Sequence, residues 1–94
     1  MFNFTFQNIN TVKITKTNIE DVRFMNLVEK INSSFFLHQN SIKSLDGLDN
    51  LKYVGGSLSL SNNNLSSLKP LSNLQEINGL LAITYNKILI LIIK

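Results

Sequence analysis

Apolar residues recur along this chain at a fixed interval of 23 residues. The interval relates Ile31, Val54 and Ile77, and equally Leu37, Leu60 and Ile83. A constant period of this length is typical of stacked repeat units, none of which can bury its apolar face alone. The pattern therefore predicts a single hydrophobic core that is shared by neighbouring units.

Within one unit the spacing of apolar residues changes from two to three. Leu58 and Leu60 alternate with serines, as in a β-strand with one face buried and the other outward. Every third residue is then apolar, through Leu65, Leu68, Leu71, Leu74 and Ile77. This spacing favours extended or 3₁₀ turns over a continuous α-helix. We expect one short strand per unit, parallel strands between units, and little helix.

The repeat divides the chain into a single domain, 1–94, of about four units. The predicted parts are a degenerate N-terminal cap and first coil at 1–31, full coils at 32–54 and 55–77, and an incomplete coil at 78–94. Alternating phenylalanines at 2–6 indicate a short strand or cap. Residues 22–30 also fit a short helix, which remains an alternative.

A column of asparagines and a pair of glycines accompany the apolar columns. Asn40, Asn63 and Asn86 share a position just after the strand, where their amides can satisfy backbone groups and form a ladder between units. The pair Gly55-Gly56 precedes a strand, and we expect it to permit a tight bend or a positive φ.

Composition narrows the classes of function. The 94 residues include 44% hydrophobic and 16% charged side chains, and the net charge of +3 comes from scattered lysines. Without a dense basic patch, nucleic acid is not an expected partner. The absence of cysteine excludes disulfides and thiolate metal sites. The N-terminus lacks the pattern of a signal peptide, and the longest apolar run, 88–93, is too short to span a bilayer.

The motif Leu58-x-Leu60-x-x-Asn63-x-Leu65-x-x-Leu68 resembles the core of a leucine-rich repeat. The segments Val54-Gly55-Gly56-Ser57-Leu58-Ser59-Leu60 and Ile77-Asn78-Gly79-Leu80-Leu81-Ala82-Ile83 resemble more closely the receptor L-domain, found in the ectodomains of insulin-type and epidermal-growth-factor-type receptors. This resemblance covers roughly residues 12–88. It implies a mainly β, right-handed solenoid that binds protein ligands on its faces and carries no catalysis.

Six residues form the candidate protein-contact face, because outward sheet positions are the natural binding surface of a repeat protein. They are Lys13, Phe36, His38, Ser59, Ser61 and Thr84. Phe36 could instead pack under a neighbouring segment, and His38 could simply be solvated. We identify no catalytic, cofactor-binding or metal-binding residues, since no histidine, cysteine, serine or carboxylate set has a recognisable spacing.

The sequence thus predicts a non-enzymatic protein-binding module, resembling a receptor L-domain, from a larger ligand-binding or receptor-like protein. The alternative is a truncated structural repeat unit without independent binding activity. The tail 87–94 is either a closing strand or an interrupted unit, and the lysine at the apolar column position favours interruption. An apolar, β-prone edge of this kind predicts self-association through the C-terminal end. The ligand is not identified.

Overall fold

The computed structural model describes residues 8–87, in which the chain forms two four-stranded parallel sheets and two 3₁₀ helices. The first sheet has the order β1-β3-β5-β7, and the second has the order β2-β4-β6-β8. The first comprises β1 (Asn8–Ile9), β3 (Lys30–Ile31), β5 (Tyr53–Val54) and β7 (Glu76–Ile77); the second comprises β2 (Val12–Thr15), β4 (Phe35–His38), β6 (Leu58–Ser59) and β8 (Leu81–Ala82). The 3₁₀ helices are η1 (Arg23–Met25) and η2 (Lys69–Asn73). The predicted mainly β fold with little helix is confirmed. The prediction of one strand per unit is wrong, because each unit also contributes a two-residue strand to the first sheet.

The strands pair in the register that the repeat predicts. Phe35 is the partner of Val12 on one side and of Leu58 on the other, and Leu58 pairs in turn with Leu81. Each step between β4, β6 and β8 advances the chain by 23 residues. The apolar columns therefore lie side by side across neighbouring strands.

The core lies beneath the second sheet and along the segments that leave it. Among residues 8–87, fourteen hydrophobic side chains are almost fully buried there: Val22, Met25, Val28, Ile31, Phe35, Leu37, Ile42, Leu45, Leu48, Leu51, Val54, Leu58, Leu60 and Leu65. Burial of a leucine-sized side chain contributes about 1.5–3 kcal/mol. This shared core is the main source of cohesion between units.

Hydrogen bonds explain why the apolar residues follow each other every third position. The backbone N–H of Leu48 donates to the carbonyl of Leu45 at 3.0 Å, and that of Leu51 donates to Leu48 at 3.1 Å. Turns closed between residues three apart return each apolar side chain to the same side. No α-helix forms over 22–30, where a short helix was the alternative prediction. Only the single 3₁₀ turn of η1 lies there.

The predicted asparagine ladder is present and joins each unit to the next. The Oδ1 atom of Asn63 accepts the backbone N–H of Asn40 at 3.2 Å, and that of Asn86 accepts the N–H of Asn63 at 3.2 Å. The Nδ2 atom of Asn63 donates to the carbonyl of Leu37 at 2.6 Å. Thr17, which stands where the first unit would have asparagine, donates its N–H and hydroxyl to Asn40.

The glycine pair lies at a bend, as predicted, but it does not have the positive φ that was the other expectation. Gly47 is the glycine with a positive φ in residues 8–87, whereas Gly55 and Gly56 have none. A Cβ on Gly55 would lie 2.1 Å from the carbonyl oxygen of Asn32 in the preceding unit. Glycine is required there because two backbones pack directly on each other.

Some predictions lie outside the described residues. These are the strand or cap formed by the phenylalanines at 2–6, and the outcome of the tail at 88–94. Within residues 8–87, none of the helices has the length and apolarity needed to cross a membrane.

Candidate functional site

The outer face of the second sheet collects the predicted contact residues. Lys13, Phe36 and Ser59 are consecutive partners in the register of β2, β4 and β6, and Thr15 pairs with His38. Because side chains alternate along a strand, these residues face away from the buried Phe35 and Leu37. Residues far apart in the sequence thus form one surface.

Phe36 and His38 form the aromatic centre of this face. Their ring centroids are 5.5 Å apart, and the rings are tilted by 49°. Both side chains are half-buried, so Phe36 is neither fully exposed nor covered by another segment. His38 differs from the solvated histidine that we considered, because its Nε2 atom is hydrogen-bonded to the hydroxyl of Ser59.

The two predicted serines are much less accessible than their outward positions suggest. Ser59 is 7% exposed and Ser61 is 9% exposed. The hydroxyl of Ser61 is 3.1 Å from that of Thr84 in the next unit, while Ser59 lies against His38 in the previous one. Each hydroxyl is thus paired with a side chain of a neighbouring unit. Lys13 and Thr84 remain exposed at the two ends of the face.

A column of left-handed residues borders the face where the strands end. Lys16, Gln39, Asn62 and Tyr85 all have φ near 60°, and they are spaced by the repeat interval. All four side chains are exposed. Sequence reasoning missed this column, since only Asn62 belongs to a residue type that commonly adopts this conformation. The periodic position after the strand was the signal that could have revealed it.

A shallow, open depression of about 470 Å³ lies beside His38 and includes three residues of this column. Its lining comes from three successive units and consists of Thr15, Lys16, His38, Gln39, Ser59, Ser61 and Asn62. The lining provides an ammonium group, hydroxyls, amides and an imidazole. These groups suit hydrogen bonding to a polar ligand.

The acidic side chains lie elsewhere, and within residues 8–87 three of the six form surface ion pairs. Lys43 contacts Glu20 at 3.2 Å, and Lys52 contacts Glu29 at 3.3 Å. Arg23 contacts Asp46 at the longer distance of 3.9 Å. Such exposed pairs contribute little stability. In the part of the chain that the structure describes, histidines and carboxylates form no group of three or more that could hold a metal ion.

Comparison with known proteins gives one finding. The family model described as Receptor L domain matches residues 43–93, just over half of the chain. No curated protein and no solved structure gives a significant match. The matched segment includes β5 to β8 and two members of the asparagine ladder.

Proposed function

The chain belongs to the receptor L domain family, and from this premise we propose that it binds a protein ligand through the outer face of the second sheet. The family consists of ligand-binding receptor domains without enzymatic activity. The candidate face comprises Lys13, Phe36, His38, Ser59, Ser61 and Thr84, and we name it the sheet face.

The paired rings of Phe36 and His38 carry this proposal. They are partly accessible at the centre of the face, 5.5 Å apart, with exposed Lys13 and Thr84 on either side. Protein interfaces are enriched in aromatic residues at the centre and in polar residues at the rim. Because parallel strands support the rings from below, the surface is preorganised for a partner.

We further propose that the chain winds as a right-handed solenoid of about four 23-residue coils within a single domain, 1–94. The constant register between β4, β6 and β8 supports this arrangement. The family membership supports the handedness. In this arrangement the sheet face is continuous across coils, so that an extended ligand can contact several of them.

Selection from a random peptide display library on the immobilised protein tests the binding proposal. We expect enriched peptides to lose binding to Phe36→Ala/His38→Ala and to retain it with Tyr53→Ala, which removes a half-buried aromatic ring from the first sheet. Circular dichroism verifies that each variant is folded. A Thr84→Arg variant adds bulk at an exposed position and should also reduce binding.

Two outcomes would contradict the proposal. Enriched peptides that bind the double variant as well as the wild type would place the contact on another surface. A selection that enriches no peptide would favour the alternative, a structural repeat unit without independent binding activity.

A second candidate activity is self-association through β8. This strand ends the second sheet within the described residues. Leu81 in the strand is 51% exposed, and Leu80 and Tyr85 beside it are 77% and 80% exposed. An edge strand with apolar side chains is a template for pairing with another copy. Light scattering after size exclusion should show dimers or larger species that Leu80→Lys/Tyr85→Lys converts to monomers. A wild-type monomer at high concentration would refute this proposal.

A further inference from the structure

The charges of this protein are distributed unevenly over its surfaces. All six acidic residues lie outside the second sheet and its left-handed column: Glu20, Asp21, Glu29, Asp46, Asp49 and Glu76. The segments 1–7 and 88–94 contain no aspartate or glutamate. The sheet face and its border therefore have cationic side chains, Lys13 and Lys16, and no carboxylate.

These two lysines are not neutralised by neighbours. The ion pairs among residues 8–87 involve Arg23, Lys43 and Lys52, and neither Lys13 nor Lys16 takes part in one. Both lysines are exposed. Their charges therefore add to give a positive potential over one side of the sheet face.

The depression beside Lys16 offers hydrogen-bond donors to an anion. Lys16 contributes an ammonium group, Asn62 an amide and Thr15 a hydroxyl. Donors of this kind bind a carboxylate strongly when one of them is charged. With a volume of about 470 Å³, the depression has room for an aspartate or glutamate side chain.

We infer that the partner of the sheet face is an acidic polypeptide segment that places a carboxylate in this depression and an apolar side chain against Phe36. This inference rests on the proposed function and specifies the chemistry of its ligand. Nucleic acid is a poorer fit, because duplex DNA presents a charge about every 1.7 Å and the face offers two lysines rather than a continuous basic stripe.

Fluorescence anisotropy with defined probes tests the inference. The probe is a labelled dodecapeptide of alternating glutamate and tyrosine, and the comparison peptide replaces glutamate with lysine. The test variant is Lys13→Gln/Lys16→Gln, which places at position 16 the residue type that the next unit has in its left-handed position, Gln39. The control is Lys30→Gln/Lys69→Gln, which removes the same charge from the first sheet and from η2.

We expect the acidic peptide to bind and to bind more weakly as salt increases. Its affinity for the test variant should be roughly tenfold lower, because two exposed charge pairs are lost. The control variant should bind like the wild type. The lysine-containing peptide should not bind.

The inference is overturned if the acidic peptide fails to bind, binds equally to the test variant, or binds more weakly than a single-stranded DNA dodecamer. If display peptides still bind through Phe36 and His38 while the acidic peptide does not, the proposed function stands and only the ligand chemistry is wrong. If no peptide of either kind binds the sheet face, both fall.

Discussion

Replacing Asn63 by aspartate tests whether the asparagine ladder holds the repeat units together. The side chain of Asn63 is 7% exposed and serves both as a hydrogen-bond acceptor and as a donor. Its Oδ1 accepts the N–H of Asn40, and its Nδ2 donates to the carbonyls of Leu37 and Leu60 at 2.6 and 2.9 Å. Asn63→Asp retains the shape and the acceptor but removes the donor.

The expected cost follows from the Leu37 carbonyl, which loses its donor, whereas the Leu60 carbonyl keeps the Nδ2 atom of Asn86 as a donor at 2.8 Å. A buried polar group left without a partner costs about 1–3 kcal/mol, and more for a charged group, so the substitution should cost at least about 1–3 kcal/mol at neutral pH. A domain of this size has a total stability of about 5–15 kcal/mol. The variant should therefore lose a substantial part of its stability.

The loss of stability caused by Asn63→Asp should change with pH in one direction. In the folded state the introduced carboxyl faces carbonyl oxygens in a buried site, which raises its pKa above the unfolded value of about 3.9. Relative to the wild type, the variant should therefore be least destabilised below about pH 4, where the protonated carboxyl can donate one hydrogen bond. Its destabilisation should grow as the pH rises through the folded-state pKa.

Urea unfolding followed by circular dichroism, at neutral and acidic pH, measures this difference. Asn64→Asp is the matched control, because it introduces the same charge one residue later at an exposed position. A loss for Asn63→Asp as small as that of the control, or a loss that increases on acidification, would refute the reasoning.

Three further substitutions test other parts of the fold by the same unfolding measurement. Gln39→Val should lower the free energy of unfolding by about 1–2 kcal/mol, because a β-branched residue disfavours the φ of 56° found there. An equal loss for Gln75→Val, at an exposed position, would rule out this cause. Gly55→Ala should cost about 1–3 kcal/mol, since its Cβ would overlap a carbonyl at 2.1 Å; a neutral result would mean that the units can separate freely. Leu58→Ala should lower the free energy of unfolding by about 2–5 kcal/mol, because Leu58 is fully buried. Leu80→Ala should change it little, because Leu80 is 77% exposed. Similar losses for both variants would contradict the core described above.

Much of the fold could be predicted from spacing. The strands at Val12–Thr15 and Phe35–His38, the register of 23 residues, the scarcity of helix and the asparagine ladder all follow from columns visible in the sequence. Repetition makes such predictions robust, because each unit presents the same side chain to the same neighbour. The i to i−3 hydrogen bonds between successive core leucines give the three-residue spacing its physical basis.

The candidate site could be predicted only in part. Strand alternation correctly indicates that Ser59 and Ser61 occupy outer positions, but it does not reveal that neighbouring side chains leave them 7% and 9% exposed. The exposure of a small residue depends on the size of the side chains beside it in other units. The left-handed positions of Lys16 and Gln39 were missed because lysine and glutamine have no preference for that conformation.

The sequence alone determined which residues of this protein share a column, because every unit repeats the same local backbone geometry. Only the tertiary structure decided how closely the units approach, which is why Gly55 is needed for backbone contact rather than for a positive φ. It also decided that Lys16 and His38, 22 residues apart in sequence, line one depression. Such distances depend on the packing of one unit against the next, which the composition of a single unit does not encode.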